Sequence, residues 1–177
     1  MVKKQFARPC DALFVFNGTG SNTMSLQLMT RPYHIIFCAD TGHIAVDECG
    51  APSKGTGCFM RTIPTTDGKL TPELLQPYMI NFGVEHHSQP GAIYISQCTE
   101  LGTIYTLTEL EALSEVCKAK KLYLFVDGAR LGYGLAAKDN DVTFADLARL
   151  TDVFYIGGTK VGALFGEAVV ISNPVLA

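Results

Sequence analysis

Three residues able to do covalent or proton-transfer chemistry sit just past apolar runs: Lys160, Asp127 and His43. Lys160 follows Val153 to Ile156 and a Gly-Gly pair, with another glycine at 162. A lysine in such a turn is expected to be partly shielded from water. Shielding disfavours the ammonium and lowers its pKa, as an imine-forming lysine requires. The position also suits an ordinary surface lysine. Asp127 ends the run Leu122 to Val126 and precedes Gly128-Ala129-Arg130. A carboxylate at a buried strand end needs a partner. A protonated pyridine nitrogen would serve, as would the next turn or Arg130. His43, in Asp-Thr-Gly-His, could stack on an aromatic ring or shuttle a proton near neutral pH. It could equally be a hydrogen-bonded structural residue.

Further polar groups accompany them. Gly18-Thr19-Gly20-Ser21-Asn22 reads as a helix start, and amides at a helix N-terminus suit a phosphate. It is neither a Walker loop nor a GxGxxG stretch. Arg130 could bind a carboxylate or phenolate through its planar fork, or form a plain salt bridge. Glu100, in Cys-Thr-Glu-Leu-Gly, ends another strand and is expected to face the same region. His34, His86 and His87 lack such a setting.

The elements that must position these groups alternate. Strands are expected at Leu13–Phe16, His34–Cys38, Arg61–Ile63, Ala92–Gln97, Leu122–Val126, Val153–Ile156 and Val169–Ile171. Ser21 or Asn22 caps a helix through Met24, Leu26 and Leu28. Thr71-Pro72 opens another, carrying Leu74, Leu75, Tyr78 and Met79. Thr106 and Glu109 form a capping box, with Leu110, Leu113, Val116 and Cys117 on one face behind it. Asp47 to Gly57, rich in Gly and Pro, reads as loop. The pattern is α/β: a mostly parallel sheet flanked by helices. In such sheets ligands bind beyond the carboxyl ends of the strands, where all the candidate groups fall.

Composition narrows the classes. The chain has 177 residues, net charge −3 and 47% hydrophobic residues, with mean hydropathy +0.20. Lys and Arg are scattered, which argues against nucleic acid. No apolar run is long enough to cross a membrane. The six cysteines form no CxxC pair, so no metal site is expected and they read as small core hydrophobes. A reducing cytoplasm is the expected setting. The apolar composition points to surface buried against another subunit or segment.

The motifs Phe-Asn-Gly-Thr-Gly-Ser-Asn (16–22), Ala-Asp-Thr-Gly-His-Ile-Ala-Val-Asp-Glu-Cys-Gly-Ala-Pro (39–52) and Asp-Gly-Lys-Leu-Thr-Pro-Glu (67–73) occur in that order. Thr-Glu-Leu-Gly-Thr (99–103), Val-Asp-Gly-Ala-Arg-Leu (126–131) and Gly-Gly-Thr-Lys (157–160) follow. As a set they resemble the low-specificity L-threonine aldolases, within the β-eliminating lyase superfamily of pyridoxal 5'-phosphate enzymes. The resemblance covers nearly the whole chain. It implies the fold-type-I, PLP-dependent transferase-like large domain. It also implies reversible cleavage of threonine-type β-hydroxy-α-amino acids to glycine and an aldehyde.

The resemblance assigns roles by position. Gly18 and Thr19 would hold the cofactor phosphate, and Lys160 would be the Schiff-base lysine. Asp127 would bond the ring nitrogen. His43 would stack on the ring and is the first candidate for the base. Glu100 or a water is the alternative base. Arg130, near the cofactor 3-hydroxyl, would bind the substrate carboxylate, with Glu100 facing the same site. A homodimer or homotetramer is expected. The alternatives are a catalytically weak coenzyme-binding or assembly subunit, and a related β-eliminating lyase or phenylserine aldolase.

Family members extend further at both ends. Residues 1–177 therefore read as the core of the large domain, without an N-terminal segment and a smaller C-terminal domain. Two local departures stand out. Val161 follows the lysine where the family usually has Asn, and Gly132-Tyr133 replaces the commoner Ala-Asn.

Overall fold

A computed structural model describes residues 2–80 and 82–177. Seven strands form one sheet: β1 Asp11–Val15, β2 His34–Ala39, β3 Phe59–Ile63, β4 Gln89–Ser96, β5 Tyr123–Asp127, β6 Val153–Gly157 and β7 Glu167–Ile171. The helices are α1 Gly18–Met29, α2 His43–Val46, α3 Ala51–Thr56, α4 Pro72–Leu75, α5 Leu107–Lys120, α6 Leu131–Ala136 and α7 Phe144–Leu150. The spatial order is β1-β7-β6-β5-β4-β2-β3. Strand β7 runs antiparallel to both its neighbours, while the β6-β5-β4-β2-β3 pairings are parallel. The expected α/β architecture is therefore present.

Alternation along the strands makes two cores. Phe37, Ile93, Ile95, Leu124, Val126 and Phe154 belong to one, with Leu110, Leu113 and Leu147 of α5 and α7. Ile36, Cys38, Tyr94, Phe125, Val153 and Tyr155 belong to the other, with Leu26 and Met29 of α1. Both sheet faces are covered, so the strands read as continuous apolar runs. Asp127 lies two residues beyond Phe125 and so shares the α1 side with Tyr94 and Tyr155.

The capping box at Thr106 and Glu109 is present. A second, at Thr143 and Asp146, starts α7. Three expectations need correction. Helix α1 begins a turn earlier than Ser21 or Asn22: Asn17 is extended and its side chain accepts from the Gly20 amide. Asp47–Gly57 is not all loop, because Ala51–Thr56 is helical between left-handed Gly50 and Gly57, with Pro52 in the first turn where its missing N–H costs nothing. Helix α4 lasts one turn and tightens into a 3-10 turn at Gln76–Tyr78, where Pro77 lacks the N–H that would continue it. Of the cysteines, Cys38, Cys58 and Cys117 are buried, Cys10 and Cys98 are half-buried, and Cys49 is exposed, so the core-hydrophobe expectation holds for three.

The tips of β5 and β6 approach closely. The Gly157 amide donates to the Gly128 carbonyl at 2.9 Å. A Cβ at Gly128 would lie 1.6 Å from the Tyr155 carbonyl oxygen, and one at Gly157 would lie 2.5 Å from that of Ala129. Backbone cannot yield as a flexible side chain does. Gly128→Ala is therefore expected to destabilise the fold by more than about 3 kcal/mol, the upper part of the usual overpacking range. Chemical denaturation would show this as a midpoint shifted well below that of the unaltered chain, or as no folded baseline.

Candidate active site

Asp127 is 3% exposed and receives four donors. Its Oδ1 accepts from the Ala129 amide at 2.9 Å and the Tyr155 hydroxyl at 2.5 Å. Its Oδ2 accepts from Asn22 Nδ2 at 2.9 Å and the Tyr94 hydroxyl at 2.6 Å. Burial, and then the charge of Asp127, push both tyrosine pKa values upward, so both phenols remain donors. A carboxylate offers about four lone-pair sites, and four donors use them.

The network continues through Asn22. Its Nδ2 also donates to Glu48 Oε1 at 2.6 Å, and that oxygen lies 2.8 Å from His43 Nδ1. The Glu48 side chain is fully buried, while that of His43 is 24% exposed. Asn22 Oδ1 and Glu48 Oε2 are buried and have no hydrogen-bond partner among the described residues.

Lys160 lies in a 3-10 turn, Thr159–Val161, that ends at left-handed Gly162. The shielding expected for it is absent: the residue is exposed. What is held is its backbone. Buried Glu167, at the start of antiparallel β7, accepts from the Gly158 amide at 2.6 Å and from Thr159 Oγ1 at 2.9 Å. The Tyr133 hydroxyl donates to the Lys160 carbonyl at 2.8 Å. A Cβ at Gly132 would lie 3.3 Å from Val161 Cγ1. The departures at 132, 133 and 161 thus meet at one place: glycine makes room for valine, and tyrosine supplies a hydrogen bond to the turn.

A cleft of about 220 Å³ brings these groups together, lined by Asn17, Gly18, Thr19, Asn22, His43, Ala129, Tyr155, Thr159, Lys160 and Glu167. A larger groove of about 580 Å³ lies by β3 and contains none of them. Lys160, His43, Gly18 and Thr19 share the cleft as expected. Asp127 sits beneath it, behind Asn22 and Tyr155. Arg130 and Glu100 stand at the ends of β5 and β4 but do not line it. Arg130 is half-buried and makes no ion pair among the described residues, whereas Glu100 accepts from Ser96 Oγ at 2.7 Å.

The donor set suits a phosphorylated aromatic aldehyde. It offers an exposed amine, an imidazole, a helix N-terminus, and Asn22, whose Oδ1 has no partner among the described residues. Sequence reasoning missed Asn22 as a network member, along with Glu48, Tyr94, Tyr155 and Glu167. The parity of Tyr94 and Tyr155 with Asp127 was the available signal for the tyrosines. A glutamate opening the otherwise apolar β7 was the signal for Glu167.

Residues 6–176 match the family described as beta-eliminating lyase. The low specificity L-threonine aldolase of Pseudomonas aeruginosa is 35% identical over 176 residues, which span 99% of this chain and 51% of that protein. A solved threonine aldolase of Leishmania major superposes with a TM-score of 0.95 at 43% identity, over 99% of this chain and 52% of that one. The aromatic aminotransferase of Pyrococcus horikoshii, with a TM-score of 0.78 and 14% identity, shares the fold. The chain spans about half the length of the relatives it matches most fully.

Tyr133→Phe removes the hydroxyl that holds the Lys160 carbonyl. At this exposed bond the stability loss should be at most about 1 kcal/mol. Amide hydrogen exchange at residues 158–163 should accelerate while the strands stay protected.

Proposed function

The chain belongs to the β-eliminating lyase family, with its fold-type-I architecture, and on that premise we propose that it binds pyridoxal 5'-phosphate and contributes the lysine-bearing side of an aldolase site. The substrates proposed are threonine- or allo-threonine-type β-hydroxy-α-amino acids, cleaved reversibly to glycine and an aldehyde. The observation that carries this reading is the single cleft in which Lys160, His43 and the N-terminus of α1 converge over the Asp127 network.

When bound, the coenzyme supplies an electron sink for the bond broken at the amino acid's Cα. Gly18 and Thr19, at the positive end of a twelve-residue helix, hold its phosphate. Lys160 would hold the coenzyme through its side-chain amine. Asp127 supplies negative charge toward the ring nitrogen. Its lone pairs are already engaged, so one donor must share an oxygen for direct contact. His43 would lie against the ring and could hold or move a proton in the cleft. Arg130, which makes no ion pair among the described residues, takes the substrate carboxylate through its planar fork, and Glu100 flanks the same edge.

A homodimer or homotetramer is part of the proposal. Phe14, Phe16 and Phe165 are 85%, 77% and 67% exposed. They border one groove of about 520 Å³ beside β1. Apolar groups clustered this way mark an association surface.

Three measurements test the proposal. Added pyridoxal phosphate should give an imine absorbance band that borohydride traps, and Lys160→Ala should abolish it. Loaded protein should release aldehyde from threonine; faster turnover of phenylserine or of an elimination substrate would redirect the assignment. Light scattering should show an oligomer, and Phe14→Ser combined with Phe165→Ser should lower its mass. A monomeric unaltered chain would overturn the association.

A further inference from the structure

We propose that Glu48 is the positioning residue of His43, fixing the ring proton on Nδ1 so that Nε2 is the atom that accepts the proton of the substrate hydroxyl. The proposal deepens the aldolase reading and rests on it for the substrate. The tautomer itself is a property of the chain alone.

The argument begins at Asn22. Only the nitrogen of a carboxamide can donate, and Asn22 Nδ2 faces Glu48 Oε1 at 2.6 Å and Asp127 Oδ2 at 2.9 Å. Both of its N–H bonds are spent, one on each carboxylate. Glu48 Oε1 therefore already accepts one hydrogen bond when it meets His43 Nδ1 at 2.8 Å. An imidazole is ordinarily a stronger base than a carboxylate, so a proton shared between the two sits on the ring. Nδ1 is then the donor, Glu48 is an acceptor of two N–H groups, and the neutral ring keeps its lone pair on Nε2.

Exposure agrees with this division. The Glu48 side chain is fully buried and engages Nδ1, while His43 is 24% exposed and borders the cleft with Lys160. The ring's two nitrogens point apart, so the one not tied to Glu48 is available to the cleft. When Nε2 takes the hydroxyl proton, the O–H bonding pair becomes the second bond of the aldehyde carbonyl as Cα–Cβ breaks, and the pair from that bond is left at Cα, where a returning proton gives glycine. The imidazolium formed is stabilised by the Glu48 carboxylate. A buried carboxylate orienting a histidine in this way sets its tautomer and supports its charge, and this logic holds irrespective of fold. Asn22 keeps Glu48 in its accepting role and links it to Asp127.

The test is nitrogen-15 NMR of the imidazole rings in the coenzyme-free chain near neutral pH. His43→Gln identifies the His43 signals among the four histidines. The expected result is a protonated Nδ1 and an unprotonated Nε2. An Nε2–H tautomer in the unaltered chain would falsify the proposal without any further variant. In Glu48→Ala no acceptor faces Nδ1, so the preference for Nδ1–H should be lost and the Nε2–H form should become populated; an unchanged tautomer also overturns it. In loaded protein, Glu48→Gln should keep the imine band and a KM within about twofold. Its kcat should fall about 100-fold, the lower end of the general-base range; an unchanged kcat overturns the proposal. Failure of the unaltered chain to form the imine band would sink the aldolase reading and leave the tautomer result standing.

Discussion

A buried carboxylate without a side-chain cation among its four donors organises this molecule. Removing an ion like Asp127 from water carries an effective penalty of several kcal/mol even after relaxation. Four donors surround it, and hydrogen bonds to charged groups are worth roughly 1.5–3 kcal/mol each. Their sum is of the same order as the penalty, so the site is tolerable only with the set intact. Those donors come from α1, β4, β6 and the turn after β5. A slip of one residue in any of these strand pairings would turn a tyrosine to the opposite face and leave the charge under-solvated. The register of the sheet and the electrostatics of the cleft are therefore one constraint.

The second organiser is the antiparallel strand. Strand β7 starts where its two antiparallel neighbours, β1 and β6, end, with Glu167 beside Val15 and Gly157. Its reversed direction brings a buried carboxylate to the carboxyl edge of the sheet, within reach of Gly158 and Thr159. The close approach of Gly128 and Gly157 holds the two strand tips together. The Lys160 turn is thus fixed from below and behind while its amine stays in solvent. Rigid backbone with a free side-chain end suits a group that must exchange covalent partners.

Much of this could be read from the residues. Asp127, His43, Lys160, Gly18 and Thr19 all follow short apolar runs, and in an α/β sheet such positions converge. Other features gave ambiguous signals. Ser21 and Asn22 were the expected N-caps, both good ones by residue type; Asn17, of equally suitable type, starts the helix instead, which leaves Asn22 to face Asp127. Tyr94 and Tyr155 sit inside strands where tyrosine is ordinary filler, so their hydroxyl role emerges only from pairing. Glu48 lies among Gly and Pro residues that suggested loop, yet α2 and α3 on either side hold it fully buried. Exposure of Lys160 was beyond local pattern altogether, because it depends on what the turn packs against.

The departures around Lys160 show why such patterns are better judged in three dimensions than one position at a time. Val161 alone looks like the loss of a hydrogen-bonding amide from the turn. Gly132-Tyr133 alone looks like the loss of a second amide and the arrival of a bulky phenol. In the fold these positions touch: a methyl at 132 would press on Val161 at the tight edge of van der Waals contact, and the Tyr133 hydroxyl reaches the Lys160 carbonyl. One backbone hydrogen bond is supplied from a neighbouring helix instead of from the residue after the lysine. The space required for the new side chain opens on that same helix. Because α6 begins directly after Arg130, this exchange also links the turn carrying the amine to the residue proposed to grip the substrate carboxylate.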